Sequence, residues 1–453
     1  MRLEINESAY VAFTADGSTD RTHSHHLIVY VFYVYRGKLC CAFVDLVDCK
    51  GDAESITRAI LTALGRELSQ KLVAGAADGA SVMLGGKGFT GKNNVRALMQ
   101  RRFPFLHVIH CTAHCHALAS ADACAATDFV VSLCEGVTAL SNEMGFSYVK
   151  RAEYKQFAEL AGEKALQPGK IHKVRWLSRG QAFETTTRTL VGNLLTVQKY
   201  ATALAARKER RRAETQVDET QAEKESNTEK CAALTLRAEF ALSMPIVNNM
   251  LKLQNSFNKL FQGAQPAYII KFQRDELISQ MKSLYIDQPD VLKFKTFNKD
   301  VKGKSVYSTV GDELQRYEFK PRHLLVRTPS GHELTLNYDD PSRSILSSKQ
   351  RALKYIEDGI REYAQNIVDS LKARFTDETL QFWSALQVCD VDRMQAMEDG
   401  VELSEDLLLL ANHFPVPWQL GGGWLLHSLA AAAINRQRGE RFFFVFKLLS
   451  GGT

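Results

Sequence analysis

Two aspartates stand at matching places in this chain, each at the tip of a short apolar run with the composition of a strand. Tyr10-Val11-Ala12-Phe13-Thr14-Ala15 runs into Asp16-Gly17-Ser18-Thr19-Asp20, and Leu72-Val73-Ala74-Gly75-Ala76-Ala77 runs into Asp78-Gly79. Mixed α/β folds place their chemistry at such strand ends. Carboxylates converging there suit a hard divalent cation, Mg2+ or Mn2+, which prefers oxygen ligands, keeps some of its waters and docks on phosphates. Two such ions about 4 Å apart can clamp the attacking and leaving oxygens of a phosphodiester displacement. Asp16 and Asp78 are therefore the candidate metal ligands and catalytic acids, with Asp20 as a supporting or alternative ligand. An Asp-Gly pair is also an ordinary turn, so either acid taken singly has a structural reading.

A second group of reactive side chains crowds into ten residues: His107, His110, Cys111, His114, Cys115 and His116. Cys111-x-x-His114 is half of a zinc site, but structural zinc takes four ligands, usually as two spaced pairs, and no second pair with that spacing occurs. The other reading is a packed junction between a strand and a helix. Trp176, flanked by Arg175 and Arg179, has the composition to stack on an unpaired base while the arginines hold phosphates. A half-buried core tryptophan fits the same spacing.

The elements that must position these groups follow from the apolar periodicity. Residues 10–47 read as an antiparallel meander: a first strand, Leu27 to Tyr35 (LIVYVFYVY), a tight turn at Arg36-Gly37-Lys38, and Leu39 to Val47. Asp52 or Asp48 caps a helix from Ala53 to Gln70, whose Ile56, Ile60, Leu61, Leu64 and Leu68 share one face. Then come the strand 72–77, a helix from Asn93 to Arg102 stopped by Pro104, and a strand over Leu106 to His110. The order β-β-β-α-β-α-β brings Asp16 and Asp78 together only if the first and fourth strands are neighbours, the RNase H-like arrangement. From Ala113 to about Leu204 the chain reads as helices broken near Gln167-Pro168-Gly169. Lys208 to Lys230 is almost wholly charged or polar, a solvated helix or linker. Ala232 to Met281 is helical again with Met250, Leu251, Leu253, Phe257 and Leu260 as core candidates. His323 to Tyr338 reads as a β-hairpin around Pro329-Ser330-Gly331, and Lys349 to Trp383 as helix.

Composition fits these elements. The 453 residues suffice for more than one core, and 45% hydrophobic with 24% charged residues is ordinary for a globular chain. The net charge of +6 permits a nucleic-acid partner without requiring one. Nine scattered cysteines, an odd number, argue for reduced thiols and an intracellular setting. No apolar run approaches the roughly 18–20 residues of a membrane span, and Met1 to Asn6 lacks a signal-peptide pattern. The expectation is a soluble chain without a membrane partner.

Taken together, the segments resemble the hAT superfamily of DNA transposases, in particular its domesticated or zinc-finger-associated branch. The resemblance rests on Asp16-Gly17-Ser18-Thr19-Asp20, on Phe43-Val44-Asp45-Leu46-Val47 with Asp52-Ala53-Glu54-Ser55, and on Asp78-Gly79-Ala80-Ser81-Val82-Met83. It continues through His110-Cys111-Thr112-Ala113-His114-Cys115-His116-Ala117-Leu118-Ala119 and Arg175-Trp176-Leu177-Ser178-Arg179-Gly180, with weaker echoes at Asn255 to Gln262 and Ala373-Arg374-Phe375-Thr376-Asp377. It spans about residues 8–390.

The resemblance implies an α/β protein with an RNase H-like mixed sheet at 8–112, a large all-helical insertion domain at 113–410 and a C-terminal segment at 411–453. It implies a nuclear, DNA-binding, metal-dependent (Mg2+ or Mn2+) strand-transfer enzyme with the capacity to form homo-oligomers. In that family Asp16 is the first catalytic acid and Asp78 the second. Cys111 and His114 match its C-x-x-H motif, and Trp176 matches the tryptophan that attends a DNA hairpin or flipped base. The family's third acid is a glutamate in a Ser-Glu-Arg-x-Phe-Ser-like stretch. The nearest approach here is Gly439-Glu440-Arg441-Phe442-Phe443, which makes Glu440 the third candidate with glycine in the place of serine. The stretch from Pro415 reads as eroded and no BED-type zinc finger is evident. The expectation is a catalytically impaired transposase remnant. The alternative is a non-catalytic module, of transposase descent, that binds nucleic acid or protein, and a zinc-dependent interaction protein is the third reading.

Overall fold

A computed structural model describes residues 2–8, 11–19, 24–35, 38–85, 91–104, 106–145, 148–171, 178–214, 226–262, 267–301, 304–338, 348–385 and 409. Helix α1 (Arg2–Glu7) leads into β1 (Val11–Thr19), β2 (His25–Tyr35) and β3 (Lys38–Asp48), the expected meander. Helix α2 (Ala53–Gln70) starts at Asp52, whose Oδ1 accepts the Ser55 amide at 2.8 Å. It buries Ile56, Ala59, Ile60 and Leu64, as the apolar stripe requires, and bends at Gly65, which has φ +69°. Then follow β4 (Leu72–Ala77), α3 (Ser81–Leu84), α4 (Val95–Arg102) and β5 (His107–His110). Asn94 caps α4 through its side chain, and Phe103 ends it before Pro104.

These strands form one five-stranded mixed sheet in the order β3-β2-β1-β4-β5. Strand β1 is antiparallel to β2 and parallel to β4, and β4 is parallel to β5. The first and fourth strands are therefore neighbours. Phe13, Leu27, Val29, Val31, Ile60, Leu84 and Met99 make the core of this layer. One expectation needs correcting. Asp16 does not lie in a turn after its strand: β1 continues to Thr19, with Asp16 paired to Ile28 and Thr19 to His25. The long apolar β2 carries the antiparallel ladder past the point where the parallel partner β4 stops.

Glycine decides how β1 and β4 fit. Gly75 pairs with Phe13, and a Cβ on Gly75 would lie 2.2 Å from the Phe13 ring. Within the run LVAGAA, Gly75 leaves room for a large, fully buried aromatic from the next strand.

The remainder is mostly helical: α5 (Thr112–Ala125), α6 (Asp128–Gly145), α7 (Tyr148–Leu160), α8 (Ser178–Arg188), α9 (Leu190–Glu214), α10 (Asn227–Thr235), α11 (Ala238–Leu260) and α12 (Ile269–Met281). The charged stretch from Lys208 is thus the end of α9 and the capped start of α10, where Ser226 and Glu229 form a reciprocal capping box; 215–225 lie outside the described residues. Met250, Leu251 and Phe257 are buried as expected, while Leu253 and Leu260 are half-buried.

The span expected to be all-helical also holds strands beyond the anticipated hairpin. These are the pair β6 (Lys295–Val301) and β7 (Lys304–Thr309), then, after α13 (Val310–Leu314), β8 (Tyr317–Phe319). Strand β8 adds to the expected hairpin of β9 (His323–Arg327) and β10 (Glu333–Asn337). Helices α14 (Ser348–Arg374) and α15 (Asp377–Ala385) close the described chain. By its contacts the chain divides into two units. One holds Met1–His116, Leu260–Gln273 and the described residues from Arg374 on, and the other Ala117–Lys259 and Arg274–Ala373. The expected C-terminal segment at 411–453 lies outside the described residues. Among the described residues no single helix is long and apolar enough to cross a membrane, although α5 and α6, bent by 100°, pass that test as a pair.

Gly75→Ala forces Phe13 off its rotamer and destabilises the chain by about 1–3 kcal/mol. Urea unfolding measures it, and pairing the change with Phe13→Leu recovers part of the loss.

Candidate functional site

The parallel register between β1 and β4 sets the two acids together. Ala12 pairs with Ala74, Phe13 with Gly75 and Thr14 with Ala76. Carrying that register two positions on places Asp16 beside Asp78, on the same face of the sheet by strand alternation. Phe13 and Ala15 are buried on the core face, while Asp16 points away and is exposed. Asp78 is half-buried just past β4, and its Oδ1 accepts the Ala80 amide at 3.3 Å, an Asx turn leading into α3.

Strand β5 brings the Cys/His segment to the same end. The Cys111 amide donates to the Ala77 carbonyl at 2.8 Å, extending the β4–β5 ladder by one bond. The Cys115 amide donates to the Cys111 carbonyl at 2.8 Å, the first bond of α5. Cys111-x-x-His114 is thus the hinge at which strand becomes helix, the junction reading of the sequence. The His110 ring lies against Gly79, where a Cβ would stand 2.4 Å from it, so Asp78-Gly79 needs its glycine for this close approach. The His110 and His114 rings follow one another with centroids 5.3 Å apart.

The electrostatics join the two clusters. Burial, and then the positive charges of His114 and Arg374, push the His110 imidazole from its ordinary 6.5 down to about 4. Burial also lowers His114, against the pull of the Asp78 and Asp16 carboxylates, so both acids act on that ring. Burial alone takes His116 to about 4 and is the main cause that raises the Cys115 thiol to about 12. Cys115 Sγ donates to the Arg374 carbonyl at 3.6 Å. A thiol held protonated is a poor zinc ligand. Among the described residues no three His, Cys, Asp or Glu side chains converge in a metal-binding arrangement. Two carboxylate oxygens at the end of a sheet do fit a hard cation that completes its shell with water and phosphate.

The other sequence candidates fare differently. Arg175, Trp176, Asp20 and Glu440 lie outside the described residues. Arg179, expected to hold phosphate, sits on α8 with its guanidinium turned inward. Its Nη1 donates to the Ser120 carbonyl at 3.3 Å, and its charge acts on Cys124, Cys134 and Tyr363. That commitment to the interior corrects the expectation. The sequence reading missed Arg374 as a neighbour of the histidines and missed Trp383, which packs edge-on to His107 with centroids 4.7 Å apart. The Ala373–Asp377 echo was the only signal for Arg374, and spacing could not have tied it to Asp78.

Comparison with models of known protein families and with curated proteins returns no match.

The depressed histidines make stability pH-dependent. Below the ordinary 6.5 the unfolded chain takes up protons that His110 and His116 refuse until about pH 4, so stability falls as pH drops through that window and levels below it. His110→Gln should lose roughly 2 kcal/mol less than the wild type between about pH 7 and about pH 4.5, measured by urea unfolding at each pH.

Proposed function

We propose that the five-stranded sheet is an RNase H-like core of hAT-transposase descent, and that Asp16 and Asp78 are a divalent-metal centre for phosphodiester chemistry on DNA. One observation carries this reading: the parallel β1–β4 register, carried on from Thr14–Ala76, brings Asp16 level with Asp78 just past the end of β4, and both carboxylates act on the His114 ring, within the strand order β3-β2-β1-β4-β5. Folds that bind metal and phosphate put their ligands at such carboxyl ends. The contact division lends support, since helical segments interrupt the sheet-bearing unit: the chain leaves it after His116, returns over Leu260–Gln273, and returns again at Arg374.

On this reading Asp16 and Asp78 hold Mg2+ or Mn2+, which would polarise the scissile phosphate and activate water. The chain's own residues then divide the work. Asp78 is oriented by its bond from the Ala80 amide. Burial disfavours a charge on His114, while the two carboxylates it faces pull its pKa back up. The Gly79–His110 contact holds the Asp78 turn against β5. Glu440 is the proposed third acid, and Trp176 with Arg175 the proposed base and phosphate contacts. With glycine before Glu440 in place of serine, catalysis is impaired and DNA binding remains. The working form is nuclear, on DNA, as a homo-oligomer. The second reading is a non-catalytic nucleic-acid- or protein-binding module of transposase descent, in which Arg179, bonded to the Ser120 carbonyl, serves the fold of the helical unit.

Titration calorimetry with Mn2+ tests the centre. The wild type should bind, and Asp16→Ala and Asp78→Ala should each weaken binding by at least about tenfold, or about 1.4 kcal/mol. A hairpin-ended DNA cleavage assay run alongside should show little or no product. No Mn2+ binding by the wild type sinks the metal centre, and metal-independent DNA binding in its place supports the second reading.

A further inference from the structure

We propose that Cys124 and Cys134 form a peroxide-sensitive dithiol that closes to a disulfide across the elbow between α5 and α6. Their sulfurs are 3.9 Å apart, in thiol–thiol contact. Cys124 is the last residue but one of α5 and Cys134 lies in the first half of α6, with only Ala126 and Thr127 between the helices. The elbow is pinned from both sides. Thr127 Oγ1 donates to the Ala123 carbonyl at 2.9 Å, and Asn366 Nδ2 donates to the Ala126 carbonyl at 3.3 Å and to Thr127 Oγ1 at 2.9 Å. Closing the sulfurs to a bond of about 2 Å therefore falls to side-chain rotation, with the backbone held in register.

The surroundings favour a thiolate. The Arg179 guanidinium hydrogen-bonds Cys134 and its charge acts on both sulfurs, anchored on the Ser120 carbonyl one turn before Cys124. The first proton leaves the pair easily, because the remaining S–H donates to the thiolate and the cation stabilises it, while loss of the second is suppressed. By contrast, burial is the main influence on Cys115 and Cys231 and pushes both thiols up to about 12. Cys134 is half-buried and Cys124 5% exposed, so solvent reaches the pair at Cys134.

The chemistry balances with a hydroperoxide as oxidant. Proton transfer from Cys134 to the Cys124 thiolate puts the charge on the more exposed sulfur, Cys134 attacks one peroxide oxygen, the O–O bond breaks, and a sulfenic acid forms as hydroxide leaves. Cys124 gives its proton to that hydroxide and attacks the sulfenic sulfur. The S–S bond forms, the S–O bond breaks, and the second hydroxide leaves with a proton from solvent. Two thiols and one hydrogen peroxide become a disulfide and two waters.

The test uses the reduced full-length chain and hydrogen peroxide at about one equivalent. Thiols counted in denaturant should fall from nine to seven, that is nine minus the pair, and dithiothreitol should restore them. Cleavage before aspartate isolates Cys124 in residues 122–127 and Cys134 in residues 128–217, each without another cysteine, so the cross-linked peptide identifies the bond. Cys124→Ser should stop at a Cys134 sulfenic acid that a dimedone trap labels. Arg179→Gln, checked by circular dichroism for an unchanged fold, should slow closure on the order of tenfold. Cross-linking of another pair, or oxidation of both thiols without a bond between them, overturns the proposal. An unchanged rate in Arg179→Gln overturns the part assigned to the guanidinium.

Discussion

The parallel pairing of β1 with β4 is the constraint on which the sheet-bearing unit rests. It works because Phe13 has no side chain opposite it: Gly75 gives up its Cβ so that a fully buried ring can cross from one strand to the next. The same register that seats the ring, carried three residues on, brings Asp16 level with Asp78. Core packing and the acid pair are thus consequences of one alignment. A slip of one residue would turn every side chain of a strand to the other face, sending Phe13 outward and Asp16 into the core. The cost of burying a carboxylate and exposing a phenyl ring together fixes the register.

At the edge of that unit, the Cys/His segment shows how burial sets chemistry. Three histidines within seven residues could have been metal ligands or charged contacts. Desolvation holds His110 and His116 neutral, and the carboxylates of Asp16 and Asp78 only partly offset it at His114. Their role follows from where the chain runs: the Ala77 carbonyl takes the Cys111 amide, the Cys111 carbonyl takes the Cys115 amide, and a strand becomes a helix with no broken bond between. Gly79 and Gly75 serve the same end, each a place where a ring comes too close for a Cβ.

Within the helical unit, polar side chains tie segments together alongside the apolar stripes of its helices. Arg179 ties α8 to the Ser120 carbonyl, and the Asn249 side chain meets the Tyr285 hydroxyl at 2.5 Å. The Glu163 carboxylate takes the Val191 and Gly192 amides at the start of α9. Burial lifts that carboxyl to about 7, the two amides pulling it back down. Each of these pairs joins segments far apart in sequence, and each would be costly to leave half-made.

The sequence by itself determined the local elements and the identity of the acids. Apolar runs too short for helices marked β1, β2, β3, β4 and β5, the 3.6-residue stripe marked α2, and Asp52, one of two cap candidates, announced its start. Those signals are local because capping bonds and burial stripes act within a few residues. Only tertiary structure decided the partners. That β1 continues through Asp16 depended on β2 offering partners beyond the end of β4. That Arg179 turns inward depended on a carbonyl in α5, and that Arg374 bears on the histidines depended on a chain return across more than two hundred residues. The pair β6–β7 and strand β8 were unreadable because short, polar strands carry no clean alternation and gain their stability from pairing. The acids were legible in the sequence; what aligns them is the register of two strands whose paired residues lie about sixty apart, which no local signal encodes.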